Sequence, residues 1–439
     1  MRALSFEYAL TPRGVERGCR ITFGDDGLIA SVEAGVAGPW DGSLALPGMP
    51  NAHSHAFQRA LVGSGESPAA GSFWSWRDSM YRLANAIDAD DLYVIALRAF
   101  ADMLRAGFTS VGEFHYIHHA RDGRASTEMS LALREAARDA GIRIVLLPVL
   151  YQRGGFDRAA LEEQRRFLHA SLDDFGKLLE ALRGEPCGVA PHSLRAVPLS
   201  QLPALVAMAD SILGPDCPIH IHVSEQRREV EECHAFHGHP PIECLSDTVD
   251  LGPRWSLVHA THAQAHEVTI IEEAEPNLVL CPLTEAYLGD GLFPLGKASG
   301  LRFAIGSDSN ARIDAIEELR LAEYGQRLKL EKRSLLANEH GLGAAVWSSA
   351  AQVGGRSLAQ PVGRLETGYQ ADIVVLDLEN GLFAGVRPEK LLDAWIVGGS
   401  AVQIADVYVG GRKRVAQGSL LSQVPADRFA NVMKRVFSE

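Results

Sequence analysis

The sequence has no Cys-x-x-Cys pair, no apolar run near the ~18 residues a membrane span needs, no low-complexity tract and no repeat of fixed period. Each absence closes a class. The six cysteines (Cys19, Cys187, Cys217, Cys233, Cys244, Cys281) are scattered, which argues against a disulfide scaffold and a structural zinc knuckle and fits a reducing cytoplasm. The longest apolar stretches, such as Ile144 to Leu150, are short, and the amino terminus lacks a basic region followed by an apolar one, so neither a membrane partner nor export is expected. Cationic excess is missing too. Lys and Arg number 42 against 55 Asp and Glu, a net charge of -13, which disfavours nucleic acid and anionic lipid as partners.

What is present is an ordinary globular composition, 46% hydrophobic and 22% charged over 439 residues. The first 46 residues alternate apolar and polar in short bursts around turn residues such as Gly24, Asp25 and Gly27, the pattern of a small antiparallel sheet. The last ~70 residues repeat that texture. Asp372 to Asp377 and Ala394 to Val397 read as strands, and Val407 to Val415 reads as a hairpin whose Gly410-Gly411 pair can supply two positive φ values. Between these ends, apolar runs at 44–55, 110–115, 144–151, 188–193, 219–224, 256–262, 278–282 and 303–307 alternate with amphipathic helical stretches.

Eight such units predict an α/β fold, a (β/α)8 TIM-like barrel over 47–355, with a small β-sandwich domain built from 1–46 and 356–439. A doubly wound sheet would carry a Gly-rich phosphate turn after its first strand. Here Gly63-Ser64-Gly65 breaks that pattern at Pro68.

The polar residues of these runs fall at strand carboxyl ends, where barrel enzymes place their reacting groups. His53 and His55 share a strand face and can offer two imidazoles to one ion; alone they read equally well as loop histidines. His220 and His222 share another face, and Glu225 follows within reach as a general acid/base beside a metal. His220 alone reads as a core histidine. Strand six ends at Val258-His259-Ala260-Thr261-His262, where one of the two histidines would polarise the electrophile. Asp308, after strand eight, could merely cap a helix, but as a fourth ligand it completes a His, His, His, Asp set suited to Zn²⁺ or Fe²⁺. His234, His237 and His239 read as a solvated loop.

This order of motifs on strands one, five, six and eight resembles the amidohydrolase superfamily. The segments Pro47 to Gln58, Ser72 to Arg77, Gly112 to His119, His222 to Glu225 and Cys281 to Pro294 are similar to its formimidoylglutamate deiminase family of histidine degradation. The resemblance implies that His53, His55, His222 and Asp308 hold one Zn²⁺ (or Fe²⁺), with Glu225, His259 and Asp308 catalytic. It further implies that Gln58, Arg77, Tyr116, His192 and Arg195 contact a small dicarboxylate substrate. Arginines suit such a dianion because their fork pairs carboxylates in bidentate fashion, although Arg77 alone reads as a solvated helix face beside Trp74 and Trp76. A bridging lysine for a second metal is not evident: strand four has none, and Lys177 lies upstream in a predicted helix. Pro186-Cys187 and Cys281-Pro282 also lack the second cysteine of the cytidine-type zinc deaminases.

The expected activity is hydrolytic deimination of N-formimidoyl-L-glutamate to N-formyl-L-glutamate and ammonia, by a cytoplasmic homodimer. The rivals are deamination of a heterocycle such as guanine on the same scaffold, and a catalytically silent scaffold protein.

Overall fold

The computed structural model describes residues 1–63, 73–297 and 300–437. The Ser64 to Pro68 turn and the Trp74 side chain fall outside the described part. Four strands open the chain: β1 (Arg2–Thr11), β2 (Gly14–Phe23), β3 (Ile29–Glu33) and β4 (Gly42–Pro47). Eight follow in the central region: β5 (Met49–Ser54), β6 (Phe108–His115), β7 (Arg143–Leu150), β8 (Ala190–Pro191), β9 (Ile219–Val223), β10 (Trp255–His259), β11 (Asn277–Leu280) and β12 (Phe303–Ile305). The last are β13 (Ile373–Leu376), β14 (Ile404–Val409), β15 (Arg412–Ala416) and β16 (Ser419–Leu420).

The strands from both chain ends form one sheet in the order β16-β15-β14-β13-β4-β1-β2-β3. Alternation explains how it buries both faces. Ala45, Ile373 and Val375 join Phe6, Cys19, Ile21 and Tyr408 in a core of the sheet's own, while Leu44, Leu46, Val374 and Leu376 turn toward the main core. Gly410 (φ 55°) and Gly411 (φ 69°) make the β14–β15 turn as the sequence predicts.

The central strands form two parallel half-sheets, β5-β6-β7-β8 and β12-β11-β10-β9. Isolated bridges, Val189 to Ile219 on one side and Ser54 to Asp308 on the other, join them into a ring. Apart from Arg143 and Ile144 at the start of β7, their residues are buried, as strands covered on both faces require.

Three expectations are corrected. The run 44–55 is not one strand: β4 pairs with β1 and β13, and only β5 enters the barrel. The change of sheet occurs at Gly48, where a Cβ would lie 2.3 Å from Thr109 Oγ1. Ala394 to Val397 lies in the helix Leu391–Gly398, which buries Leu391, Leu392, Trp395 and Ile396. Four consecutive apolar residues fit a strand or a buried helix equally, and Trp395 settles the matter by packing on Trp347 with centroids 5.0 Å apart. His234 and His237 belong to the helix Arg227–His237 rather than to a loop. Among the described residues no helix is long and apolar enough to cross a membrane.

Candidate metal centre and its pocket

Strand β5 is approached very closely on both sides. A Cβ on Gly112 of β6 would sit 2.9 Å from Ala52 O, and one on Gly306 would sit 2.7 Å from His53 Cβ and 2.8 Å from His53 O. Glycine at 306 thus lets the chain after β12 run against β5, where Asp308 N donates to His53 O (3.0 Å) and His55 N to Asp308 O (2.9 Å). Asp308 (φ 45°) and His259 (φ 71°) are both held in the left-handed region, unusual for residues with side chains and frequent at functional sites.

The result is a buried quartet. His53 Nε2 lies 3.2 Å from His55 Nε2 and 3.0 Å from His222 Nε2, and Asp308 Oδ1 lies 3.4 and 3.3 Å from the first two. The donor atoms of His53, His55, His222 and Asp308 all fall within 4.8 Å of one another. His55 Nδ1 meets Phe114 O at 2.8 Å; a carbonyl only accepts, so the proton sits on Nδ1 and the Nε2 lone pair faces inward. Burial holds the three imidazoles below their usual range, His53 at about 3. Burial pushes Asp308 the other way, but the hydrogen bond from His53 and the neighbouring imidazoles outweigh it and keep the carboxylate ionised. Neutral ring nitrogens crowded together beside a carboxylate are a donor set for a divalent cation.

Glu225 and His259 flank the quartet. His259 Nε2 stands 3.8 Å from both Glu225 Oε1 and Asp308 Oδ2. Burial raises the Glu225 pKa against the lowering pull of His259 and Arg195. His259 itself rises to about 10, because Glu225, Glu285 and Asp308 overcome its burial. Of the two histidines after β10's apolar run, His259 makes these contacts, whereas His262 is half-buried and makes none of them.

Gln58, Arg77, Tyr116, His192 and Arg195 line one cavity together with His55, His222, Glu225, His259 and Asp308. Gln58 Nε2 donates to Tyr116 OH (2.8 Å). Arg77 stands over the Tyr81 ring (5.5 Å), facing the cavity rather than presenting a solvated helix face. Arg195 is half-buried, its side chain 12% exposed, and reaches Glu225 and Glu229. His220 is a core histidine, with Nε2 2.7 Å from Ser357 O and Nδ1 buried without a hydrogen bond. Lys177 is exposed and pairs with Asp174.

Three buried acids were not read from the sequence. Glu113 Oε1 accepts from Ala56 N (2.6 Å), Glu229 accepts from Ser224 N and Glu225 N (3.2 and 3.1 Å), and Glu285 accepts from Cys281 N (2.9 Å). The last two stand four residues after a strand-end residue, a spacing that was available as a signal.

A parallel barrel with these donors at its strand ends defines a class, and residues 44–414 match the amidohydrolase family; the chain belongs to it. It is 41% identical to formimidoylglutamate deiminase of Pseudomonas aeruginosa, over all of this chain and 99% of that protein. Among solved structures it is similar to an amidohydrolase from Brucella melitensis (TM-score 0.91, 40% identity, 99% of this chain and 100% of the other). An adenosine deaminase from Xanthomonas campestris, crystallised with zinc, shares the fold at 22% identity and a TM-score of 0.79, covering 99% of this chain and 97% of the other.

Proposed function

We propose that this protein hydrolyses N-formimidoyl-L-glutamate to N-formyl-L-glutamate and ammonia. The observation that carries the reading is a single pocket lined by three of the four donors, His55, His222 and Asp308, and by Arg77 and Arg195. The full-length similarity to a formimidoylglutamate deiminase supports it.

His53, His55, His222 and Asp308 would hold the ion, zinc by preference with iron(II) as the alternative, since imidazole and carboxylate donors suit both. Bound there, a divalent ion acts as a Lewis acid that lowers the pKa of water toward ~7 and so supplies a nucleophile at neutral pH. Glu225, with help from Asp308, takes the proton of the attacking water as its oxygen bonds to the formimino carbon. Glu225 then passes that proton to the imino nitrogen; the hydroxyl proton left on the new tetrahedral carbon follows to the same nitrogen by way of Asp308 as the C=O bond forms, the C–N bond breaks, and ammonia leaves. His259 hydrogen-bonds the charge that develops at the reacting centre. Arg77 and Arg195 hold the two carboxylates, with Gln58, Tyr116 and His192 orienting the chain between them.

A neutral heterocycle offers no carboxylates to the guanidinium groups of Arg77 and Arg195, which disfavours a purine in this pocket. Ammonia release from formimidoylglutamate, guanine, adenosine and arginine, with product mass measured, tests the reading. Turnover of guanine in preference to formimidoylglutamate would overturn it.

A further inference from the structure

His259 has carboxylates at both ring nitrogens. Its Nε2 looks into the pocket toward Glu225 and Asp308, and its Nδ1 lies 3.3 Å from Glu285 Oε1. Glu285 belongs to the first turn of the helix Pro282–Leu288 and is 2% exposed. Its Oε1 is fixed a second time, by the N–H of Cys281 at 2.9 Å, so helix and strand end together set where the carboxylate points. The Cys281 thiol, buried beside it, is kept protonated by that burial and by the surrounding acids.

We propose, building on the reaction assigned above, that Glu285 is a positioning residue for His259: its carboxylate accepts a hydrogen bond from Nδ1–H and so fixes the ring with Nε2 turned to the reacting centre. The argument is one of donors and acceptors. A carboxylate only accepts, so the 3.3 Å contact is a hydrogen bond only when Nδ1 carries hydrogen. With that proton fixed, any further proton on the ring sits on Nε2, the nitrogen that faces the pocket. A neutral amide in its place could turn its NH₂ toward Nδ1 and so release the ring from that orientation. The left-handed backbone of His259 (φ 71°) fixes the ring's root, and Glu285 fixes its far edge. Glu285 does not itself line the cavity and meets its lining at His259, so its effect passes through that ring.

The test uses Glu285→Gln, Glu285→Ala and Glu285→Asp in the metal-loaded enzyme. We expect all three to keep wild-type metal content. Glu285→Gln should lose about 10²-fold in kcat with KM within threefold, and Glu285→Asp should recover part of that loss. Independently of any substrate, ¹⁵N-histidine-labelled wild-type protein should show a strongly downfield Nδ1 proton that is absent from both Glu285→Ala and His259→Gln. A Glu285→Gln variant with wild-type kcat, or an unchanged proton signal in Glu285→Ala, would overturn the proposal. If wild-type protein releases no ammonia from formimidoylglutamate, the substrate reading fails while the proton signal still decides the role of Glu285.

Discussion

The Arg195 guanidinium faces Glu225 across 3.5 Å, so the cation proposed to hold a substrate carboxylate also stabilises the ionised form of the proposed proton carrier. Binding of a dianion therefore redistributes charge at the group that moves the proton. Recognition and proton transfer draw on the same side chain.

Arg195→Ala should accordingly shrink the discrimination between formimidoylglutamate and an analogue with one carboxylate replaced by an amide. In wild-type protein we expect that discrimination to be about 10²-fold or more in kcat/KM. Arg195→Lys should not fully restore it, because a point charge cannot reproduce the planar fork. Steady-state kinetics on the substrate pair check this; equal turnover of dianion and amide by wild-type protein would contradict the dicarboxylate reading.

Glu225→Gln should retain its metal and lose turnover by ~10² or more, since proton transfer is removed while the donor quartet is intact. His222→Ala should lose both. Elemental analysis beside activity separates the two, and a Gln variant stripped of metal would move Glu225 into the ligand set.

The donor quartet predicts about one ion per chain. Elemental analysis of active protein after extensive dialysis should find it, and chelation should lower Tm, because an ion bound only by the folded state adds its binding free energy to folding. Two ions per active chain would contradict the single-metal reading.

Glu113 yields a stability prediction with a definite sign. Burial pushes its carboxyl up to about 8, above the value of about 4.3 expected when unfolded. Its stabilising contribution is thus complete below the unfolded value and declines as pH rises toward 8. Glu113→Gln, which keeps an acceptor for Ala56 N, should match wild type near pH 4 and exceed it in Tm near pH 9. Thermal melts across that range check the crossing, and parallel curves would refute it.

The barrel was legible because its strands are apolar runs, some closing on histidine as at His115 and His259, and period-two spacing puts His53 with His55 on one face. The turn from β4 into β5 was not, because strands in two different sheets are equally apolar there and only the close contact of Gly48 with Thr109 separates them. The helix at Trp395 was lost to the ambiguity of a four-residue apolar run. Glu229 and Glu285 escaped because an acid in the first turn of a helix is favoured by the helix dipole anywhere, whatever lies behind it.

The Ser54 to Asp308 bridge joins two stretches of chain 254 residues apart, where the first barrel strand meets the last. Around it Asn51, Ser307, Asn310 and Ser54 form a short ladder of side-chain hydrogen bonds, and the proposed ligands His53, His55 and Asp308 straddle the same line. An ion held by that set would act as a clasp on the ring as well as a reagent. Emptied of it, the protein should first loosen here, with amide exchange quickening at residues 53–55 and 306–310 while the far joint at Val189 and Ile219 stays shut. Metal supply would then govern the lifetime of the folded chain along with its rate of turnover.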